Sequence, residues 1–485
     1  MRVVFVIRQL GYARLFDAPL RALLGRGATV HLLYDRDVGN DRERAWLAGL
    51  QEQPGFSSSL TDALRRDPWF RVAARLRRYA DYLHFLSPAF AGMPTQVARA
   101  EERLGRGAAS VVRLLARPEP VRAAASRALR ALERWLPPSD AARAELRGAD
   151  VLVLAPHLMP GARHTEWIRA ARAEGIPCVV AVASWDNLTS KQHLREVPDR
   201  VLVWNDTQKN EAVTLHDVPE ELVVVTGAQS FDDWFDRTPR PREEFCARVG
   251  LDPARPYLAW LGGALFKAAL TEAEFVEREW LPRFRADDRF RDVQLLVRPH
   301  PRRLQDWASL QADVVVWPRA AAAMPVDEES RADFFDSIHH SSAVVGINTT
   351  AMIEAAIVGR GVYTLYVPEF AESQRGVVHF EYLLTIGGGI VQAADTWDQH
   401  FDELAHAIAE PEAGRERRDA FVRAFVRPAG PAVPNFVAAV EGAAALTPRH
   451  AAPHPAHALV RAAVSAKRRL WSTRAAARVA RARGR

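Results

Sequence analysis

The stretch Val344-Val345-Gly346-Ile347-Asn348-Thr349-Thr350-Ala351-Met352-Ile353-Glu354-Ala355-Ala356 decides how this chain is read. An apolar run ends in a small polar turn, and helix-forming residues follow. The order predicts a buried strand over 343–347, a turn over Asn348, Thr349 and Thr350, and then a helix start. A helix N-terminus leaves backbone N–H groups free, and two hydroxyls beside them suit an anion such as a phosphate. Earlier in the chain, Arg298-Pro299-His300-Pro301 closes a second apolar run, 293–297. Two polar strand ends in one α/β pattern suggest a nucleotide-sugar or nucleotide-alcohol site. Each alone also fits an ordinary strand–loop–helix junction.

Working outward, the second half of the chain continues that alternation. Tyr257–Leu261 reads as its first strand and runs into Gly262-Gly263, small residues that let a ligand approach the backbone. A helix over Glu272–Phe284, strands over 313–317 and 361–366, and a helix over 332–340 complete the pattern. The loop 368–380 carries Gln374 and His379, both suited to touching a donor sugar or phosphate; His379 fits equally well packed beneath the loop. Residues 236–256 read as the connection from a first domain, and 447–458, rich in Pro, His and Ala, as a linker.

The first half begins in the same way. Val3–Ile7 is a strand, Arg8–Tyr12 a glycine-containing turn, and Phe16–Leu24 a helix before the strand Thr29–Leu33. The three-glycine dinucleotide fingerprint is absent, so Gly11 and Tyr12 are read as a tight turn or as one wall of an interdomain cleft. Residues 60–147 are rich in Arg, Ala and Leu and broken by prolines. They predict a helical insertion with Trp69, Tyr79, Tyr82 and Phe85 packed inward. Its basic amphipathic face is by default solvated, with contact to lipid as the alternative. From Ala149 the α/β rhythm returns: strands over 151–154, 178–182, 200–204 and 222–226, and helices over His164–Glu174 and from Asn205 to His216. The fold class is α/β, with parallel strands alternating with helices in two domains, 1–235 and 236–446.

Length, cysteines and charge narrow the functional classes. At 485 residues the chain exceeds one core. Cys178 and Cys246 are far apart and outside any ligand-like spacing, which argues against a disulfide framework or a zinc site and fits a reducing compartment. No apolar run is long enough to span a bilayer, and the N-terminus reads as a strand rather than a signal peptide. The formal charge of +6 belongs to the tail: Arg461, Lys467, Arg468, Arg469, Arg474, Arg478, Arg481, Arg483 and Arg485 occur there without one acid. A solvated tail, contact with anionic lipid and nucleic-acid binding are all open on charge. Without a recognition motif, nucleic acid is not expected as a partner.

With two α/β domains in hand, the chain resembles the two-domain glycosyltransferase architecture called GT-B. Arg298-Pro299-His300-Pro301 and the Thr349-Thr350 turn with Glu354 resemble the His-Pro and paired-hydroxyl motifs of bacterial polymer transferases that use CMP- or CDP-linked donors. These include CDP-glycerol glycerophosphotransferases, capsule Kdo transferases and some sialyltransferases. The resemblance implies that His300 meets the cytidine side and that Thr349 and Thr350 hold the phosphates. It differs in carrying Thr-Thr where Ser-Ser is usual, and Glu354 where glycerophosphotransferases tend to carry Asp. The segment Ser184-Trp185-Asp186-Asn187-Leu188-Thr189 is also similar to that of a set of bacterial proteins sharing Ser-Trp-Asp-Asn-Leu-Thr.

The expected activity is transfer of a sugar or polyol phosphate from a nucleotide-linked donor to a polysaccharide or lipid-linked acceptor. The expected place is the cytoplasm, with the tail solvated, or else peripheral at the inner membrane face, with the basic tail touching anionic lipid. Donor contacts are assigned to Gly262, Gly263, Arg298, His300, Asn348, Thr349, Thr350, Glu354, Gln374 and His379, with Lys267 as an additional cation. Glu354 either accepts hydrogen bonds from donor hydroxyls or serves the helix dipole. The base is expected from the first domain: Asp186 first and His157 second, either of which also fits a turn or cap. Gly11, Tyr12, Ser184 and Asn187 are placed on the acceptor side. No Asp-x-Asp cluster falls in the second domain, and Asp35-Arg36-Asp37 reads as a solvated turn, so neither a metal nor a cofactor is expected. Two alternatives remain: a UDP-sugar 2-epimerase-like enzyme and a catalytically inactive scaffold of the same form.

Overall fold

A computed structural model describes residues 1–36, 39, 41–66, 69–155, 163–264, 270–312, 314–319, 325, 327–375, 377–448 and 453–463. The first sheet is built from β1 (Arg2–Gln9), β2 (Thr29–Arg36), β3 (Phe56–Leu60), β4 (Val151–Leu154), β5 (Cys178–Ala181), β6 (Arg200–Val203) and β7 (Val223–Val225). They lie in the order β3-β2-β1-β4-β5-β6-β7, all parallel. The second sheet contains β8 (Tyr257–Leu261), β9 (Gln294–Arg298), β10 (Val315–Val316), β11 (Ala343–Val345), β12 (Val362–Leu365) and β13 (Val391–Ala394). Its order, β10-β9-β8-β11-β12-β13, is again parallel throughout.

The central strand runs are apolar on both faces because each sheet is covered on both sides there. Val3, Phe5 and Ile7 pack into one layer, Val4 and Val6 into the opposite one, and all five are fully buried. In β8, Leu258 and Trp260 face one layer, while Tyr257, Ala259 and Leu261 face the other. The strand order reverses between β1 and β4 in the first sheet and between β8 and β11 in the second. Open α/β sheets bind ligands at the carboxyl ends of strands beside such reversals.

The helical insertion is present, with helices Phe70–Phe85, Pro94–Leu104, Arg106–Leu115, Glu119–Arg134 and Asp140–Leu146 among its elements. Tyr82 and Phe85 are buried as expected, Trp69 is half-buried and Tyr79 is exposed. A buried ion triad fastens the insertion: Arg77 bonds Glu133 at 2.6 Å and Glu166, on the first domain's helix His164–Glu174, also at 2.6 Å.

Several elements depart from expectation. The edge strand β3, Phe-Ser-Ser-Ser-Leu, has too little apolar content to be read from sequence. The helix after Thr271 runs from Glu272 to Ala286, with a π-turn over Val276–Trp280 ahead of Pro282. Helix Ala432–Ala444 was grouped with the second domain, yet it buries Phe436, Val437 and Val440 against the first sheet. The segment read as a linker ends in a short helix, 456–463, docked on the insertion. There His457 bonds the Arg134 carbonyl at 2.9 Å and Arg461 pairs with Asp140 at 2.7 Å. The tail beyond 463 lies outside the described residues.

The chain therefore crosses between the sheets twice, and the two passages are tied together. The Ala228 N–H donates to the Val426 carbonyl at 2.8 Å, and Asn205 Nδ2 to the Phe425 carbonyl at 2.8 Å. Asp232 accepts the N–H groups of Ala432 and Val433, at 3.0 and 2.6 Å, and the Arg427 guanidinium at 2.8 Å. Gly227, at φ +89°, sits where a Cβ would meet Ala432 Cβ at 2.8 Å, so no other residue fits the passage. Cys178 and Cys246 are free and buried. Among the described residues no helix is long and apolar enough to cross a membrane.

Removing Arg77 leaves two carboxylates buried without their cation. Arg77→Ala is expected to cost about 3–5 kcal/mol, measured as a lower urea midpoint and early loss of insertion helicity by circular dichroism.

Candidate functional site

The carboxyl ends of the two sheets face each other across a cavity of about 460 Å³. Its first-domain wall begins where β1 runs into a 3-10 turn, Leu10–Phe16. Leu10, Ala13 and Phe16 are buried at the three-residue period of that helix, which turns Tyr12, Arg14 and Leu15 toward the cavity. After β5 the chain makes the turn Ala183–Asn187. Asn187 Oδ1 accepts the Ala183 N–H at 3.1 Å, and the Ser184 carbonyl accepts from Gln208 at 3.1 Å. Asp186 is held by Lys191 at 2.8 Å and by the Ser190 hydroxyl at 2.8 Å.

The second-domain wall joins the ends of β8, β9 and β11. Gly262 donates its N–H to the Arg298 carbonyl at 2.9 Å, and a Cβ there would meet the His300 nitrogen at 3.0 Å. Glu272 pins the neighbouring loops: its buried carboxyl accepts from Gly263 N–H at 2.7 Å, from the Trp260 indole at 2.9 Å, and from the Ile347 N–H. Burial pushes it up to about 7 against those three donors. Across the cleft, the Trp185 indole donates to Thr350 Oγ1 at 3.1 Å, so one hydroxyl of the pair already holds the other domain.

The electrostatics of this cavity are uneven. Most of its charges are paired: Arg331 with Asp17 at 3.4 Å, Arg237 with Asp233 at 3.5 Å, and Arg248 with Asp333 at 2.8 Å. Among the described residues, neither Arg298 nor Arg14 makes an ion pair, and each has a buried guanidinium nitrogen, Nη1 and Nε respectively, without a hydrogen-bond partner. Arg298 is 9% exposed and lies over the Phe334 ring at 5.3 Å. Burial lowers its pKa to about 10, opposed by the more distant Asp333 and Tyr257. Arg14 is likewise lowered by burial, with Glu354 opposing. Two desolvated cations, one from each domain, are groups suited to pairing with an anion.

The titratable groups divide by role. Burial pushes Glu354 up to about 7, with Arg14 opposing the shift and Asp233 adding to it. Burial would raise Asp186 as well, yet Lys191, His379 and Ser190 together hold it well below the usual carboxylate range. Burial, with Arg302, Arg14 and Arg303 nearby, lowers His300 to about 4, so its imidazole is neutral at neutral pH.

The cavity brings together Tyr12, Ser184, Asp186, Asn187, Gly262, Arg298, His300, Thr349, Thr350 and Glu354 from the sequence-selected set. Others stand apart. Gly11 packs against Glu43, whose carboxylate a Cβ would meet at 2.7 Å. Gly263 is tied to Glu272, and Asn348 donates to the Ser373 carbonyl. Gln374 is fully buried beneath the turn, donating to Thr364 Oγ1 and the Leu365 carbonyl, both at 3.0 Å. His379 lies edge-on to Trp185, with ring centroids 4.7 Å apart, and touches Thr189 at 3.5 Å. These side chains hold the walls in place rather than line the cavity. His157 and Lys267 fall outside the described residues. Sequence reasoning passed over Arg14, Lys191, Asp233 and Arg331. Arg14 was within reach, one 3-10 turn past Gly11; nothing in the local sequence marks the other three.

No protein-family model matches the chain, and no curated protein does. The resemblance to CDP-glycerol and Kdo transferases thus rests on its motifs alone. Solved structures match along nearly its whole length. A glycosyltransferase from Rickettsia africae ESF-5 superposes with a TM-score of 0.50 at 10% identity, covering 91% of this chain and 98% of the other. A UDP-GlcNAc 2-epimerase from Methanocaldococcus jannaschii gives 0.49 at 12%, covering 91% and 100%. MurG of Acinetobacter baumannii gives 0.45 at 12%, covering 91% and 99%. The fold is GT-B: two Rossmann-like domains facing a cleft.

Arg298→Met tests the pairing with an anion directly. The folded-state pKa of Arg298 lies below its unfolded value, so the folded form carries a penalty at every pH below about 10. Converted at 1.36 kcal/mol per unit, the penalty is about 3 kcal/mol. The variant is expected to melt higher than the native protein in the absence of ligand. Inorganic pyrophosphate, which should raise the native melting temperature, is expected to leave the variant unmoved.

Proposed function

We propose that the protein is a GT-B transferase that binds a nucleotide-linked donor in the interdomain cavity and passes its sugar or polyol phosphate to a hydroxyl acceptor. One observation carries this reading: Arg298 and Arg14, from opposite domains, line one cavity at the carboxyl ends of both sheets, without an ion pair among the described residues and each with a buried guanidinium nitrogen that has no hydrogen-bond partner. A nucleotide diphosphate or phosphodiester supplies the charge they lack. The GT-B fold, shared with the Rickettsia africae glycosyltransferase, agrees with it.

In this scheme the second domain holds the nucleotide, with His300 neutral beside it and Arg298 on the phosphates. The acceptor enters from the side of Tyr12, Ser184 and Asn187. Its hydroxyl oxygen attacks the donor carbon, or the phosphorus of a polyol phosphate. The bond to the nucleotide phosphate breaks, and the electron pair leaves on a phosphate oxygen met by Arg298 and Arg14. The hydroxyl proton passes to Glu354, whose pKa near 7 suits a general base. Asp186, kept ionised by Lys191, is a weak base and serves better to orient the acceptor hydroxyl. Two arginines replace a divalent ion at the leaving phosphate, so a chelator is expected to leave turnover unchanged. The acceptor class, a surface polysaccharide or lipid-linked glycan, follows the motif resemblance.

A second reading draws on the same cavity. His300, Asp186, Asp233 and Glu354 surround one volume, as an epimerase acting on a UDP-sugar would need. Epimerised product formed without any acceptor decides for that reading.

A melting-temperature screen with CMP-, CDP-, UDP- and GDP-linked compounds tests the donor claim. A true donor at a hundred times its Kd contributes about 2.7 kcal/mol of apparent stability; no shift with any compound overturns the proposal. With a donor in hand, kcat should rise with pH through about 7. Glu354→Gln should lower kcat by about 10²–10⁴ while leaving the donor KM near native. A change confined to KM assigns Glu354 to donor binding instead.

A further inference from the structure

The insertion carries an outward surface that the cavity does not explain. On helix Arg106–Leu115, the buried positions are Ala109 and, in part, Val112. Val111, Leu114 and Leu115, at i, i+3 and i+4, form the opposite face and are 57%, 62% and 65% exposed. The next helix, Glu119–Arg134, repeats the pattern. Val121, Leu132 and Trp135 follow one stripe and are 47%, 42% and 50% exposed. These six account for most of the exposed large apolar side chains among the described residues. They fall on consecutive helices joined by a short turn, not scattered singly over the molecule. Apolar exposure grouped in this way marks a contact surface.

The charges around it say what the surface meets. Between Arg103 and Trp135 there are eight arginines and two acids, Glu119 and Glu133. Glu133 is buried against Arg77, and Glu119 is paired with Arg122. The outward field is therefore positive, carried by residues such as Arg106, Arg117, Arg127 and Arg130, all exposed. Short apolar side chains flanked by guanidinium groups, with a half-exposed tryptophan at the end of the stripe, match the interface of an anionic bilayer. The apolar groups enter the acyl boundary, the arginines bond phosphate headgroups, and the indole sits at headgroup level. The chain also returns here: helix 456–463 docks at Arg134 and Asp140 and leaves Leu459 75% exposed. The sequence after 463 adds eight basic residues and no acid.

We infer that helices Arg106–Leu115 and Glu119–Arg134 form a docking surface for an anionic lipid bilayer. The surface communicates with the cavity by contact. Gln96, on the adjoining helix Pro94–Leu104, bonds the Lys191 carbonyl, and Arg99 bonds the Ser190 carbonyl at 3.5 Å, both on the loop that holds Asp186. Lipid docking would bring the acceptor side of the cleft to the membrane. The inference stands whether or not the transferase reading holds.

The test uses the full chain with its tail intact, sedimented with vesicles of phosphatidylcholine alone or mixed with phosphatidylglycerol. The native protein is expected to bind the mixed vesicles and not the neutral ones. Two double variants follow: Leu114→Ser with Leu115→Ser, and Arg127→Glu with Arg130→Glu. All four side chains are exposed, so melting temperatures should stay near native, and each pair should weaken vesicle binding by about tenfold or more. Native affinity in both variants would place lipid binding elsewhere and overturn the inference. Absence of native binding to the anionic vesicles would do the same. A native dimer in sedimentation velocity that the Leu114/Leu115 variant dissolves would assign the surface to a second copy of the chain instead.

Discussion

The relative placement of the two sheets depends on one constraint, the lateral joining of the two passages between them. Ala228 bonds Val426, Asp232 caps the start of helix Ala432–Ala444 and pairs with Arg427, and Gly227 allows the backbones to touch. A single connection would let the domains swivel. Two connections bonded side by side restrict them to bending about one line. The cavity lies beside that line, and the bond from Trp185 to Thr350 spans it. Cavity shape, the facing of Arg14 toward Glu354, and the convergence of strand ends from both sheets all follow from it.

Within that frame the protein tolerates an electrostatic imbalance. Carboxylates such as Asp333 and Asp233 answer most cations around the cavity, yet Arg298 is desolvated, laid on Phe334 and, among the described residues, left without an ion-pair partner. Glu354 shows the complementary stress, a buried carboxyl displaced toward neutrality. Such groups lower the stability of the empty protein, and natural chains keep them where a ligand restores the balance. Glu272 is the instructive contrast: an equally raised carboxyl whose oxygens are fully occupied by Trp260, Gly263 and Ile347, and which serves to hold loops.

Much of the architecture was legible because parallel strands buried on both faces leave unbroken apolar runs. Val151–Leu154, Tyr257–Leu261 and helix His164–Glu174 were read with the boundaries the fold adopts. The edge strand Phe56–Leu60 was not, since an edge strand with three serines needs little apolar surface. At the site, polarity alone misled. Gln374 looked like a ligand contact because it is polar and in a loop, but its amide serves the buried backbone of Ile347 and Leu365. Arg331 and Asp233 were passed over because nothing in a helical sequence records which face meets another domain. Helix Ala432–Ala444 was placed by chain order, and only tertiary packing reveals that its apolar face belongs to the first sheet.

That last helix has a consequence for how the chain is made. Phe436, Val437, Val440 and Ala443 are part of the layer that also holds Phe5, Phe16 and Leu20. The first domain is therefore not complete when its own 235 residues have been synthesised. At about 5–20 residues per second, the ribosome needs roughly 10–40 s more before residue 444 emerges to cover that apolar face. During this interval the nascent protein carries a vacant slot on its first sheet. The final helix then works as a bolt, seated only after both halves exist.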